Sequence, residues 1–216
     1  MTEAELRRQV VETAQAMQAR GLSPQRSGNV SARVADGMVI TPSGLPFETL
    51  DAGDVVRLAL DGSVVDGARK PSSEWRLHAA VYRARPEVAA VVHCHSPNAT
   101  AVACTRRPIP AFHYMVAVAG GVDIPCAAYA TFGTEALAAA ACAALADRSA
   151  CLLANHGQLA TGADLAAALE LAAEVETLAT QYRAALAIGD VHVLSDAEMQ
   201  RVLDAFRSYG QRGQDG

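Results

Sequence analysis

Val88-Ala89-Ala90-Val91-Val92-His93-Cys94-His95 is an apolar run that follows Pro86 and ends on two histidines. Read as a buried strand, it sends alternate side chains to opposite faces, so His93 and His95 leave one face together and Cys94 the other. Two readings of the pair stand: satisfied core histidines, or two neutral imidazoles converging on one metal ion. Cys94 reads as a buried thiol and not as a ligand.

Outward from this strand, hairpins and helices alternate. Residues 29–34 and 38–41, joined through Asp36-Gly37, read as a hairpin, and 55–60 with 64–65 across Asp61-Gly62 as another. A first helix is expected over 3–20, with Leu6, Val10, Ala14 and Met17 on one face, a capping box at Thr2 and Glu5, and Gly21 beyond it. Ser72 and Ser73 can cap a helix carrying Glu74, Trp75, His78, Val81 and Tyr82, which stops before Pro86. Further on, Thr134 opens a helix, 151–154 reads as a buried strand, and a long helix covers 164–188 before Gly189. Ser195 and Glu198 make a second capping box, opening a helix with Met199, Val202, Leu203 and Phe206 ahead of Tyr209-Gly210. The pattern fits an α/β layered domain better than a helical bundle or a β-sandwich.

Composition narrows the partners. The 216 residues can bury one sizeable core without linkers or repeats, so one domain over 1–216 is expected. With 51% hydrophobic but only 5% aromatic residues, that core must be built from Ala, Val and Leu. A net charge of −5 with no basic run argues against nucleic acid and anionic membranes as partners. Glu135, Asp147, Asp164, Glu170 and Glu174 bound or interrupt the alanine-rich stretches, so no membrane span is expected. Five cysteines without a Cys-x-x-Cys pair, and a start with no apolar leader core, imply reduced thiols and a cytoplasmic location.

A third histidine, His156, follows the strand over 151–154. Three imidazoles would complete a catalytic zinc set, which leaves one position open for water or substrate. Glu74 stands near a helix start, where a carboxylate is either an ordinary first-turn residue or a functional one. Gly28-Asn29, Ser43-Gly44 and Ser72-Ser73 could each be a plain turn. Taken together they offer amides, hydroxyls and one carboxamide, which is a phosphate cradle needing little help from lysine. His78, His113 and His192 read as lone structural histidines without partners.

These stretches, with Ile40-Thr41-Pro42-Ser43-Gly44, Pro71-Ser72-Ser73-Glu74-Trp75-Arg76, Ile109-Pro110-Ala111-Phe112-His113-Tyr114-Met115 and Tyr129-Ala130-Thr131-Phe132-Gly133-Thr134, resemble the class II aldolase and adducin-head superfamily along nearly the whole chain. The tail from Leu194 to Gly210 also matches, and together with His113-Tyr114-Met115 and Ala130-Thr131-Phe132-Gly133-Thr134 it favours the members that cleave L-fuculose 1-phosphate. The resemblance implies a three-layer α/β/α domain with a mostly antiparallel central sheet. It also implies zinc (Zn2+) on His93, His95 and His156, with Glu74 as a fourth ligand that leaves the ion to become the base. Tyr114, from a neighbouring subunit of a homotetramer, would exchange the proton on the aldehyde oxygen, and Phe132 and Tyr209 would shape the aldehyde pocket. Without the resemblance, Tyr114 and Tyr209 read only as amphipathic interface residues.

The implied reaction is reversible cleavage of L-fuculose 1-phosphate, or a close ketose 1-phosphate, to dihydroxyacetone phosphate and L-lactaldehyde or a similar short aldehyde. A 5-deoxyribulose-1-phosphate aldolase and an L-ribulose-5-phosphate 4-epimerase use related chemistry. The intact histidine triad and Glu74 speak against a non-catalytic scaffold of the adducin kind. One departure stands out: Gln25-Arg26-Ser27 occupies the place where the family often has a Gly-Thr pair near the phosphate. Arg26 either forms a charge-assisted bond to the phosphate or turns outward.

Overall fold

A computed structural model describes residues 2–208. The expected strand is β5 (Ala90–Cys94), and all five of its residues are buried near the middle of an eight-stranded sheet. Its neighbours are β1 (Asn29–Val34) and β8 (Gly157–Gly162), both antiparallel to it. Beyond β1 lie β2 (Gly37–Ile40), β3 (Val56–Ala59) and β4 (Val64–Asp66), the two expected hairpins laid side by side. Beyond β8 lie β7 (Ala150–Leu153) and β6 (Cys126–Ala127), giving the order β4-β3-β2-β1-β5-β8-β7-β6. Among the described residues only the short β6–β7 pairing is parallel.

The helices are α1 (Glu3–Ala19), α2 (Trp75–Ala84), α3 (Pro97–Ala103), α4 (Glu135–Ala144), α5 (Leu165–Ile188) and α6 (Asp196–Ser208). Thr2 and Glu5 close the expected capping box on α1, and Thr134 and Asp164 cap α4 and α5 through their side chains. At α6 one half of the second box is present, with the Glu198 amide donating to Ser195 Oγ at 3.2 Å.

Buried residues form two hydrophobic clusters. Val92 and Cys94 of β5 join Val10 and Met17 of α1, Val102 of α3, and Leu169 and Val175 of α5. Val91 joins the other cluster, with Leu77 and Val81 of α2 and Leu137 of α4. The period of two along β5 thus divides one strand between two cores, and each fully buried Val or Leu contributes about 1.5–3 kcal/mol. Both histidines of interest face the side on which α2 begins.

One local expectation needs correction, and two elements went unread. Helix α2 starts at Trp75, not at Ser72 or Ser73, and the N-cap position belongs to Glu74, whose side chain makes no capping bond. Ser72 Oγ instead accepts the Glu74 amide at 3.3 Å, a turn bond that frees the carboxylate to point elsewhere. Strand β8 and helix α3 were not legible in the sequence. Among the described residues no helix is long and apolar enough to cross a membrane, and the five cysteines are free thiols.

Candidate metal centre

His93 sits where β5 is paired on both sides, opposite Asn29 of β1 and Leu159 of β8, so its backbone position is fixed by two ladders. Its Nδ1 donates to the Gln158 carbonyl at 2.8 Å, which leaves Nε2 as the free ligand atom. His95 lies just past the strand, and its Nε2 comes to 3.1 Å from that of His93. His156 occupies the tight connection between β7 and β8, after Asn155 at φ +55°, a conformation asparagine tolerates better than most residues. The three rings meet edge to face, with centroids 5.0, 4.8 and 4.8 Å apart.

Glu74 completes the group from the start of α2. Its Oε2 is 3.0 Å from His93 Nε2, and its Oε1 is 3.4 Å from His156 Nε2. Oε1 is buried and accepts no hydrogen bond. Four ligand atoms, one from each residue, all lie within 4.8 Å of one another. Tetrahedral ligands held about 2.0–2.1 Å from zinc stand about 3.3 Å apart, so the shorter spacings here suit one shared ion. An orphaned carboxylate oxygen facing lone-pair nitrogens is the environment that a cation satisfies.

Protonation agrees with this. Burial, then the neighbouring charge of His93, pushes His95 and His156 each down to about 4, so both rings are neutral at physiological pH. Burial pushes the Glu74 carboxyl up, but His93, His156 and the Asn29 amide together outweigh it and hold Glu74 ionised. At His93, burial pulls the pKa down, but the charge and hydrogen bond of Glu74 outweigh it and raise it above the ordinary value.

The centre opens into a cleft of about 340 Å³. Glu74, His95 and His156 line its floor, and His93 lies fully buried behind them. The expected anion residues Gly28, Asn29, Ser43, Gly44, Ser72 and Ser73 all line it, as does Arg26. Gly28 is required where it stands: φ is +93°, and a Cβ there would meet Ser23 Oγ at 2.6 Å and the His93 carbonyl at 2.7 Å.

The cradle differs in detail from expectation. The Ser43 amide is spent on the Lys70 carbonyl and the Ser72 amide on that of Thr41, because these two segments bridge one another. Among bonds between described residues, the Gly28, Gly44 and Ser73 amides remain free of backbone partners, alongside the Ser43 and Ser73 hydroxyls, while Ser72 Oγ holds the Glu74 amide. Asn29 is not turned to an anion: its Nδ2 donates to Glu74 Oε2 at 3.1 Å. Nor is His78 without partners, since its ring contacts Asn29 Oδ1 at 2.5 Å and Ser31 Oγ at 2.7 Å.

Phe132 stands on the rim, joined by Tyr129, and both are exposed. The Arg106 guanidinium lies 5.8 Å from the Tyr129 ring centroid, and its Nε donates to Asn155 Oδ1 at 2.8 Å. Sequence reasoning gave Tyr129 and Arg106 no role. Tyr114 does not line the cleft of its own chain; it stacks on His113, edge-on to Phe206 and half exposed. Tyr209 lies outside the described residues.

Comparison with known proteins agrees with fold and site. The family model of the Class II Aldolase and Adducin N-terminal domain matches residues 8–183, and the chain belongs to this family. A 5-methylthioribulose-1-phosphate/5-deoxyribulose-1-phosphate aldolase of Rhodospirillum rubrum is 50% identical over 97% of this chain and 94% of its own. An L-fuculose phosphate aldolase of Escherichia coli is 49% identical over 98% of this chain and 99% of its own. The solved structure of an L-fuculose 1-phosphate aldolase superposes with a TM-score of 0.92 at 39% identity, covering 96% of this chain and 98% of that one. The chain thus falls among the class II aldolases, with a Glu and three His grouped to hold a metal ion.

Proposed function

We propose that this protein is a zinc-dependent aldehyde-lyase that reversibly cleaves a 1-phosphorylated deoxyketose to dihydroxyacetone phosphate and a short aldehyde. The observation that carries this reading is the convergence of Glu74, His93, His95 and His156 at the floor of a cleft whose walls offer free amides and hydroxyls. Three imidazoles with a carboxylate form a borderline, nitrogen-rich set suited to zinc. A bound divalent ion supplies the Lewis acidity without which a carboxylate of ordinary pKa about 4.3 is too weak to remove a proton beside a ketone.

The chain's own residues do the rest. Gly28, Gly44, Ser43, Ser72 and Ser73 hold the phosphate, and Arg26 adds a cationic side chain at the cleft wall. Glu74 exchanges the proton on the ketose carbon C3. In cleavage the C4 hydroxyl gives up its proton as the C3–C4 bond breaks, the electron pair stays with C3, and Glu74 returns a proton there. Tyr114, supplied by a neighbouring subunit of a homotetramer, exchanges the hydroxyl proton. Its exposure and its place outside its own cleft support that donation. The exposed rim of Tyr129 and Phe132 suits an aldehyde ending in a methyl group, and Tyr209 is assigned to the same pocket from the family resemblance alone.

L-Fuculose 1-phosphate, releasing L-lactaldehyde, is the leading substrate, supported by the Escherichia coli relative. The Rhodospirillum rubrum relative supports 5-deoxyribulose 1-phosphate as a second, shorter by one carbon. The two hydrophobic clusters on either side of β5 support a three-layer α/β/α arrangement, and the family match over residues 8–183 supports one domain, which the proposal extends to 1–216.

Glu74→Gln tests the assignment. With either ketose 1-phosphate, triose phosphate release is expected to fall by at least about 100-fold while fold and bound zinc are retained. Turnover equal to that of the unaltered enzyme would remove Glu74 from the mechanism.

A further inference from the structure

Behind Glu74 runs a line of buried polar side chains that no step above uses. Asn29, Ser31 and His78 are all buried, His78 with no exposed surface at all, and Tyr82 is 1% exposed. The contacts are Glu74 Oε2 to Asn29 Nδ2 at 3.1 Å, Asn29 Oδ1 to His78 Nε2 at 2.5 Å, His78 Nδ1 to Ser31 Oγ at 2.7 Å, and Ser31 Oγ to Tyr82 Oη at 2.8 Å.

The inventory of donors and acceptors fixes every direction along this line. An ionised carboxylate only accepts, so Asn29 must present Nδ2 to Glu74, and its Oδ1 must face His78. An amide oxygen only accepts, so His78 Nε2 must carry the proton. A neutral imidazole with Nε2–H has a bare Nδ1, which accepts from the Ser31 hydroxyl. Ser31 Oγ in turn accepts from Tyr82.

We propose that His78 is a positioning residue: as a neutral Nε2–H imidazole it locks the Asn29 amide in the one orientation that donates to Glu74 Oε2 and thereby fixes how the Glu74 carboxylate is presented to the cleft. The proposal rests on the reading of Glu74 as the base. An asparagine amide has two nearly isosteric orientations, and the wrong one would set Oδ1 against the carboxylate. With Nδ1 accepting the Ser31 hydroxyl, His78 keeps its proton on Nε2, and a flipped amide would then face N–H against N–H. The burial that drives His78 down to about 3 keeps it in the required neutral state. Because His78 touches neither metal donors nor substrate, its loss acts on turnover and leaves the ion on its three imidazoles.

The zinc-loaded protein and its His78→Phe, His78→Gln and Glu74→Gln variants supply the test, with three readouts: kcat against KM for ketose 1-phosphate cleavage, zinc per chain, and the ¹⁵N resonances of the His78 ring. In the unaltered protein the ring is expected to show a proton-bearing Nε2 and a bare Nδ1, unchanged between about pH 5 and pH 8. His78→Phe should lower kcat by about 10- to 100-fold, with zinc retained and KM within about twofold. His78→Gln, whose amide can donate to Asn29 from the place of Nε2, should recover most of that loss. A protonated Nδ1, an imidazolium in that range, or equal losses in both His78 variants would overturn the proposal; if His78→Phe does not fold, the ring resonances and His78→Gln decide it. Full cleavage by Glu74→Gln would instead sink the parent reading and leave the ring resonances as a separate answer about the hydrogen-bond line.

Discussion

Glu74 Oε1 is the atom on which the residue-scale argument turns. A buried carboxylate oxygen without a hydrogen-bond partner, flanked by imidazoles, is costly unless a cation arrives. The histidines around it were legible in sequence because His-x-His on a strand needs only the period of two. His78 was not, since its partners Ser31 and Asn29 lie 47 and 49 residues away on β1 and no local pattern announces them. Its neutrality has a measurable consequence. With a folded value of about 3 against an ordinary 6.5, His78 binds a proton more readily in the unfolded chain. Its contribution to stability is therefore complete above about pH 6.5 and is lost as pH falls from there toward the folded value. Chemical denaturation between about pH 6 and pH 4 should show His78→Gln losing less stability than the unaltered protein, by up to about 1.4 kcal/mol per pH unit. Parallel losses would contradict a neutral His78.

At the scale of elements, long amphipathic helices and Asp-Gly hairpins announced themselves: α1, α5 and β1 to β3 fall within a residue or two of expectation. Strand β8 did not, because Gly157-Gln158-Leu159-Ala160-Thr161-Gly162 is poor in β-branched residues and is made a strand by pairing with β5 on one side and β7 on the other. Gly157 shows why the residue there is small. A Cβ would meet the Cys94 carbonyl at 2.5 Å and His95 Cδ2 at 3.0 Å. Gly157→Ala should therefore push β8 off β5 and displace His95 of the metal-binding group, costing about 1–3 kcal/mol of stability along with metal affinity. Thermal unfolding and metal titration check both, and a variant unchanged in either would show that the strands yield more easily than a packed sheet should.

For the whole molecule, the cleft is a product of topology. Helix α2 brings Glu74, β5 and its exit bring His93 and His95, the β7–β8 connection brings His156, and the turns before β1 and after β2 bring Gly28 and Gly44 to the cleft wall. Each piece was ambiguous alone in the sequence; their convergence required the strand order, which places β1 and β8 on either side of β5. Corrections fell where backbone pairing competes for the same groups, as at Ser43 and Ser72, whose amides are used between segments. The most direct measurement is triose phosphate release from L-fuculose 1-phosphate and 5-deoxyribulose 1-phosphate, followed on one preparation before chelation, after complete removal of bound metal, and after zinc is returned. Release should stop with removal and resume with zinc on at least one of the two substrates; undiminished release from metal-free protein would contradict a metal-centred aldolase.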